Sequence, residues 1–438
     1  MKYSDKELKE ATQIAYLSLL EKGQDALETT GQVGPYTLEQ IIRTCIDEEA
    51  AKKACIERGI LENEITFQDL VQNSDISPED KERIKRFDDK ILGWKIIDIN
   101  DFNQENGMYA CLIETGEKDA VVAFRGSENM KKYKNLVNDW VKADFALLNS
   151  EETEQQKTSE EYLDSLVQHG LLNKYNSLAV TGHSLGGNLA SHFTVSAAEP
   201  GREEVFNKID QCINFDGPGV SNEYIKNHKD AIDKAGSKIT HYSWSAVGKL
   251  LFSIPGEKKA YLGINKDLYK DSPIDRFRYL LIRRHDTRSL LFDQDGKAKR
   301  GRQDIFSMLM SGTSKILDAM IPASLTDELY FALSTIFKCF TYEKQDGSIG
   351  FKLPFMKVKE KAAENPFCKK CGEILKVTVE NFRNKFHLFT RDPEHRKSGF
   401  ADIVSGMQGD RAVRTNSINE LINNIGKDLG KQDIALAR

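Results

Sequence analysis

The feature that most constrains the fold is a five-residue segment, residues 182–186, that reads Gly-His-Ser-Leu-Gly. It follows a short apolar run at 178–181, which predicts a buried strand, and it precedes a helical pattern from about 188 to 198. Glycines on both sides of a serine allow a strand to turn directly into a helix with the serine at the tip of the turn. Such a strand–turn–helix unit is typical of an α/β sheet with mostly parallel strands.

The rest of the first 300 residues fits such a sheet. Helix-capping patterns at Ser4–Glu7, Thr37–Gln40 and Ser77–Pro78 predict a helical segment over the first 90 residues or so. Short apolar runs then predict strands, and from about residue 159 helices alternate with them. The predicted strands are 95–99, 108–113, 120–124, 178–181, 211–215 and 238–242. We therefore expect a mostly parallel sheet with helices on both faces, in a domain spanning 1–300.

A different region is expected from residue 301 to 438. Apolar stripes at 305–321 and 325–340 predict helices that must pack on something, and the last 50 residues or so are polar and interrupted by glycines. We predict a separate, mostly helical unit that governs access or binds a protein partner and contributes no catalytic side chain. A lid, an acyl-chain groove and a plain helical core all fit this pattern.

Charge and composition exclude several classes of protein. The chain has 62 Lys and Arg against 67 Asp and Glu, a net charge of −5, which argues against a nucleic-acid partner. No apolar run reaches the ~18–20 residues of a membrane span, and the first residues lack the apolar core of a secretory signal. Seven widely spaced cysteines are typical of reduced thiols. A cytoplasmic location is therefore the default, and export by a dedicated secretion machine stays open.

The central segment predicts nucleophilic catalysis. In this setting the Oγ of Ser184 stands above the sheet, and the backbone N–H of Leu185 points at a developing oxyanion. Because the base follows the nucleophile and the acid along the chain in this fold, it should be a histidine beyond the last strands. His285, after the apolar run 277–282, fits best, and His241, within a predicted strand, is the alternative. A surface histidine beside a basic pair is the non-catalytic interpretation of His285.

Several segments resemble class 3 (fungal-type) lipases, and specifically a bacterial lipase-like branch of them. They are residues 109–111, VVAFRGS at 121–127, Asp139, Trp140 and Asp144, the segment 182–190, NFDGPG at 214–219 and residues 290–296. The resemblance covers about residues 1–295. It implies an α/β-hydrolase fold, a second oxyanion donor at the N–H of Ser127, and an acyl-lipid ester substrate, phospholipids included, met at a membrane surface.

The acid of the triad departs from that family. Its members carry Asp after the strand that here ends near Tyr242, where this chain has Ser245. Asp216, at the end of the preceding predicted strand, either orients the histidine or caps the turn at 217–219. Asp286 is adjacent to His285 and poorly placed to orient it. A Ser–His dyad assisted by water or a hydroxyl is the third possibility.

No metal or organic cofactor is expected. Cys368 and Cys371 form half of a zinc-binding pattern without a second pair, so two plain thiols are favoured over a site completed by His387 and His395. Residues 293–296 begin like a calcium loop but lack its glutamate. Three functions remain: a serine hydrolase acting on carboxylic esters, a catalytically degenerate hydrolase fold used as an interaction scaffold, and an exported lipase effector or toxin with a helical delivery tail.

Overall fold

The structure is a computed structural model of the 438-residue chain. It describes residues 2–29, 34–102, 106–126, 152–265 and 285–303, together with 307, 311 and the backbone of 341–343 and 349–351. The chain divides into two compact units, of which the first comprises 1–319, 323–326 and 343–351. Apart from Ser307 and Ser311, the helices predicted at 305–321 and 325–340 lie outside the described residues, so the domain boundary at 300 stays a prediction.

The N-terminal segment is helical, as predicted, but in shorter pieces. The capping boxes at Ser4 and Thr37 are formed. Two helices lie between Thr37 and Gly59, because Asp47 starts the second one by accepting a hydrogen bond from Ala50 N–H. The helices are α1 (Asp5–Ile14), α2 (Leu20–Thr29), α3 (Leu38–Thr44), α4 (Glu48–Glu57), α5 (Phe67–Asn73), α6 (Pro78–Ile84) and α7 (Asp89–Leu92).

An eight-stranded sheet follows the chain in simple sequential order from β1 to β8. The first four strands pair antiparallel, and the pairs from β4 to β8 are parallel. The strands are β1 (Tyr36–Thr37), β2 (Lys95–Phe102), β3 (Met108–Gly116), β4 (Asp119–Phe124), β5 (Ser177–His183), β6 (Ile209–Phe215), β7 (Ile239–Ser243) and β8 (Lys258–Tyr261). The predicted strands are therefore present, and β1 and β8 were not predicted.

Helices cover both faces of this sheet. The connections between the parallel strands carry α8 (Glu154–Gln168), α9 (Leu185–Ala197), α10 (Glu203–Lys208), α11 (Asn222–Asn227) and α12 (Lys229–Ala235). Because crossovers between sequential parallel strands share one hand, these helices lie on the same face. The N-terminal helices cover the other face, so the expected α/β-hydrolase architecture is confirmed.

Side-chain alternation along the strands fills the two cores. Val122 and Val180 point to the core shared with the crossover helices, whereas Val121 and Ala179 point to the core shared with the N-terminal helices. The carboxyl ends of β4 to β7 meet at one edge of the sheet, which is where ligand sites form in such folds.

Two further features complete the described structure. Strands β9 (Thr341–Glu343) and β10 (Ile349–Phe351) form a two-stranded sheet of their own, which was not predicted. Among the helices that the structure describes, none is long and apolar enough to cross a membrane.

Candidate active site

Ser184 occupies the sharp turn between β5 and α9. Its φ of 59° and ψ of −135° are unusual for a residue with a side chain, a conformation that costs about 1–3 kcal/mol. The flanking glycines permit it, because a Cβ on Gly182 would lie 2.0 Å from the carbonyl oxygen of Gly186, and one on Gly186 2.4 Å from that of Phe124. The Ser184 N–H donates to the Phe215 carbonyl at 3.0 Å, which fixes the turn to β6.

Asp216 and His285 form a buried pair beside this turn. The Nδ1 of His285 lies 2.7 Å from the Oδ2 of Asp216, and the side chains are 1% and 0% exposed. Burial alone would raise the pKa of Asp216. Hydrogen bonds from His285, Ser245 and Trp244 outweigh burial and hold that pKa below its ordinary value. The carboxylate is therefore ionised, and because it can only accept a hydrogen bond, the Nδ1 of His285 must carry a proton.

The other nitrogen of His285 is available. Its Nε2 is buried and has no hydrogen-bond partner within the part of the chain that the structure describes. With the proton on Nδ1, Nε2 carries a lone pair, which is what a general base needs. The ring centroid of this imidazole lies 4.6 Å from that of His183, the residue before Ser184.

Ser245, where the family resemblance expects an aspartate, faces the same imidazole. Its Oγ is 3.3 Å from His285 Nδ1, and its N–H donates to the Oδ1 of Asp216 at 3.1 Å. The N–H of Gly217, in the turn that Asp216 would cap if it did not orient the histidine, donates instead to the Oδ1 of Asn214 at 2.8 Å. The contacts of Asp216 therefore favour the orienting role over the capping role.

The predicted oxyanion donors are only partly within the described residues. Leu185 is the first residue of α9, directly after Ser184, so its N–H belongs to the unpaired first turn of that helix. Gly126 approaches the nucleophile so closely that a Cβ on it would be 2.8 Å from the Cβ of Ser184. Ser127, the next residue, lies outside the described residues and stays a prediction.

The remaining candidates are elsewhere or not described. His241, the alternative base, lies on β7 with its Nδ1 3.2 Å from Glu257 Oε1. The carboxylate of Asp286 accepts from the backbone and side chain of Arg288 and not from His285. Outside the described residues lie the run 277–282, Asp139, Trp140, Asp144, Cys368, Cys371, His387 and His395.

One cluster among the described residues has the composition of a metal site. Glu152, Glu160 and His192 bring their ligand atoms within 4.8 Å of one another. However, Arg202 Nη1 is 2.7 Å from Glu160 Oε1, and Tyr224 Oη is 2.7 Å from His192 Nδ1. Two of the three possible ligands are therefore already engaged, and the cluster lends no support to a bound cation.

Tyr16 is a residue at the site that sequence reasoning missed. It follows the end of α1, and its Oη accepts a hydrogen bond from Gly126 N–H at 3.0 Å. No pattern in the sequence relates residue 16 to residue 126, because the contact exists only once α1 packs across β4 and β5. His183, within the same turn as Ser184, places its Nε2 2.9 Å from the His285 carbonyl oxygen.

Comparison with known proteins agrees with this geometry. Residues 82–257 match the model of the family described as Mbeg1-like, a family of the class 3 lipase-like kind, so the resemblance to such lipases is confirmed. The search of curated proteins gives no match.

Solved lipase structures are distantly similar. M37 lipase is 14% identical over 64% of this chain and 91% of its own, with a TM-score of 0.34. A mutant form of MDLA from Penicillium cyclopium is 15% identical over 50% and 74%, with a TM-score of 0.31. Rhizomucor miehei lipase is 19% identical over 39% and 57%, with a TM-score of 0.25. Likeness at this level carries no argument about substrate.

Mild acid should destabilise the fold through two buried histidines. Burial lowers the pKa of His183 and of His192 to about 3, whereas an unfolded histidine titrates near 6.5. The unfolded chain therefore binds more protons between these values, so the free energy of unfolding should fall as pH drops from 7 to 5. Asp216 does not contribute in this window, since its lowered pKa affects stability only below about 4.

Urea unfolding at pH 7, 6 and 5 measures this effect. His192→Gln removes one of the two groups and should flatten the pH dependence, while the exposed His169→Gln should leave it unchanged. An unfolding free energy that is constant from pH 7 to 5 in the unsubstituted protein would contradict the expectation.

Proposed function

We propose that this chain, whose residues 82–257 match the family model described as Mbeg1-like, is a serine hydrolase that cleaves carboxylic esters through an acyl-enzyme. The observation that carries the proposal is the buried Asp216–His285 pair beside the strained Ser184. An ionised acid, an imidazole whose Nε2 is available and a serine held at the tip of a turn are the three parts of a hydrolytic triad.

The reaction follows from these positions. His285 Nε2 takes the proton of Ser184 as Oγ attacks the ester carbonyl, and Asp216 stabilises the imidazolium. The N–H groups of Leu185 and Ser127 bind the oxyanion of the tetrahedral intermediate. The imidazolium then protonates the departing alcohol, which leaves the acyl group on Ser184. A water molecule, deprotonated by the same nitrogen, releases the acid and restores the serine.

The substrate class rests on the family resemblance. Class 3 lipases act on acyl-lipid esters, and we extend this to the present chain, with phospholipids among the candidates and a membrane surface as the place of encounter. We further propose that residues 301–438 form a unit that controls access to the site or binds a protein partner. A cytoplasmic enzyme and an exported effector would share the same chemistry.

The alternative is a hydrolase fold that has lost catalysis and serves as a scaffold. Its support is Ser245, at the position where the family carries an aspartate. The 2.7 Å contact between Asp216 and His285 weakens that support, because it supplies the missing acid from the neighbouring strand.

Ser184→Ala should abolish ester hydrolysis. Without the nucleophile, turnover should fall by about 10⁴-fold or more with little change in melting temperature. A fluorophosphonate probe should label the unsubstituted protein and Ser196→Ala, a buried serine farther along the same helix, but not Ser184→Ala. Undiminished hydrolysis by Ser184→Ala would exclude the mechanism, and an unlabelled parent protein would favour the scaffold.

Asp216→Asn tests whether Asp216 is the acid of the proposed triad. The asparagine cannot stabilise an imidazolium, so turnover should fall by ~10³–10⁴-fold. Because Ser245 faces the same Nδ1, adding Ser245→Asp to Asp216→Asn should restore part of the activity. If activity of Asp216→Asn falls only as far as its stability does, Asp216 has a structural role alone.

A chain ending at residue 300 tests whether catalysis is separable from residues 301–438. All proposed catalytic groups precede this point, so the shortened chain should hydrolyse a short-chain soluble ester. Loss of activity on long-chain or vesicle-bound esters alone would indicate a role of 301–438 in access or docking. An unfolded product, seen by circular dichroism, would place those residues in the hydrolase core and contradict the boundary.

A further inference from the structure

We infer that Tyr16, acting through His183, is a positioning residue. It fixes the turn at Gly126, directly before the proposed oxyanion donor, relative to the backbone of the catalytic base His285. The inference rests on the proposed hydrolase function and deepens it. It assigns a catalytic purpose to the N-terminal segment, which otherwise only covers one face of the sheet.

Three contacts in sequence connect the two parts of the site. The Gly126 N–H donates to Tyr16 Oη at 3.0 Å. Tyr16 Oη lies 3.3 Å from His183 Nδ1. On the other side of the ring, His183 Nε2 lies 2.9 Å from the carbonyl oxygen of His285. A continuous chain of hydrogen bonds therefore runs from the turn after β4 to the base.

The chemistry of the groups fixes the direction of every bond. A carbonyl oxygen only accepts, so the proton of His183 must be on Nε2. Its Nδ1 then has a lone pair, and the Tyr16 hydroxyl donates to it. The Tyr16 oxygen keeps a lone pair for the Gly126 N–H, so each of the three groups has a matched partner. Burial, which keeps His183 neutral, preserves this arrangement at neutral pH.

The His183 ring also packs against aromatic neighbours. It stacks on Trp244 with ring centroids 5.8 Å apart and an interplanar angle of 10°, and its centroid is 6.0 Å from that of Tyr16. These contacts hinder rotation of the ring away from the hydrogen-bond chain. His183 therefore fixes the position of the His285 backbone relative to Tyr16.

Each end of this chain of hydrogen bonds lies next to a residue with a proposed part in the reaction. Gly126 directly precedes Ser127, the proposed oxyanion donor, and its N–H is held by the Tyr16 hydroxyl. At the other end, the His285 carbonyl and the His285 ring are fixed separately, one by His183 and the other by Asp216. Oxyanion stabilisation depends on donors placed before the reaction, so loss of Tyr16 should affect the transition state more than substrate binding.

Tyr16→Phe is the direct test in the full-length protein. It keeps the ring, over which the Arg83 guanidinium lies at 5.4 Å, and removes only the hydroxyl. We expect kcat for a soluble short-chain ester to fall by about 10- to 100-fold, with KM changed by less than about 2-fold. Labelling by a fluorophosphonate should slow in parallel, and inhibition by a boronic acid, which mimics the tetrahedral intermediate, should weaken.

Two comparisons separate positioning from general destabilisation. Tyr3→Phe removes another N-terminal hydroxyl, 2.6 Å from Thr115 Oγ1, and should leave kcat unchanged. His183→Gln should lower kcat as Tyr16→Phe does. The kcat of the double variant should be little lower than that of the less active single variant, because both changes break the same chain of hydrogen bonds. His183→Gln alone decides the matter if Tyr16→Phe does not fold.

The outcomes are distinct from those that test the triad. An active parent protein whose kcat is unchanged by Tyr16→Phe and His183→Gln would overturn the inference and leave the proposed function intact. Independent, additive losses, or an equal loss in Tyr3→Phe, would also overturn it. A parent protein that neither hydrolyses esters nor reacts with the fluorophosphonate would overturn both proposals.

Discussion

A fully buried carboxylate at the end of β6 sets the conditions that the rest of the site must satisfy. Burial of an ionised Asp216 is costly unless each oxygen has donors. Oδ1 accepts from the backbone N–H groups of Trp244 and Ser245, and Oδ2 from His285. Both backbone donors belong to the segment directly after β7, so the parallel register of β6 and β7 must be correct before this carboxylate can be ionised.

The same requirement explains how the acid could come from a different strand than the family resemblance implied. Adjacent parallel strands end at the same edge of the sheet, so residues that follow β6 and β7 face one imidazole. Asp216 and Ser245 both lie within hydrogen-bond distance of His285 Nδ1. In the proposed mechanism the acid therefore follows β6, whereas the family resemblance places it after β7.

Much of this could be predicted from sequence, because the signals were local. The turn at Ser184 needs glycines at fixed offsets, and the central strands are apolar because both of their faces are buried. The edge strands β1 and β8 were missed, since they are short and half polar. The sequence could not decide whether Asp216 orients the histidine or caps a turn, because that depends on which hydrogen-bond donors the fold places beside its carboxylate. Tyr16 was missed because its partner is 110 residues away.

The contacts of α1 bring the two ends of the hydrolase segment together. The Lys6 N–H donates to the Gly296 carbonyl at 2.9 Å, and Asp5 Oδ2 accepts both from Ala298 N–H and from the Tyr242 hydroxyl. Residues near 5 and near 297 are therefore neighbours in space, although the whole sheet lies between them in sequence. A short loop could join them, so this fold is suited to circular permutation, with new termini placed in an exposed turn far from Ser184.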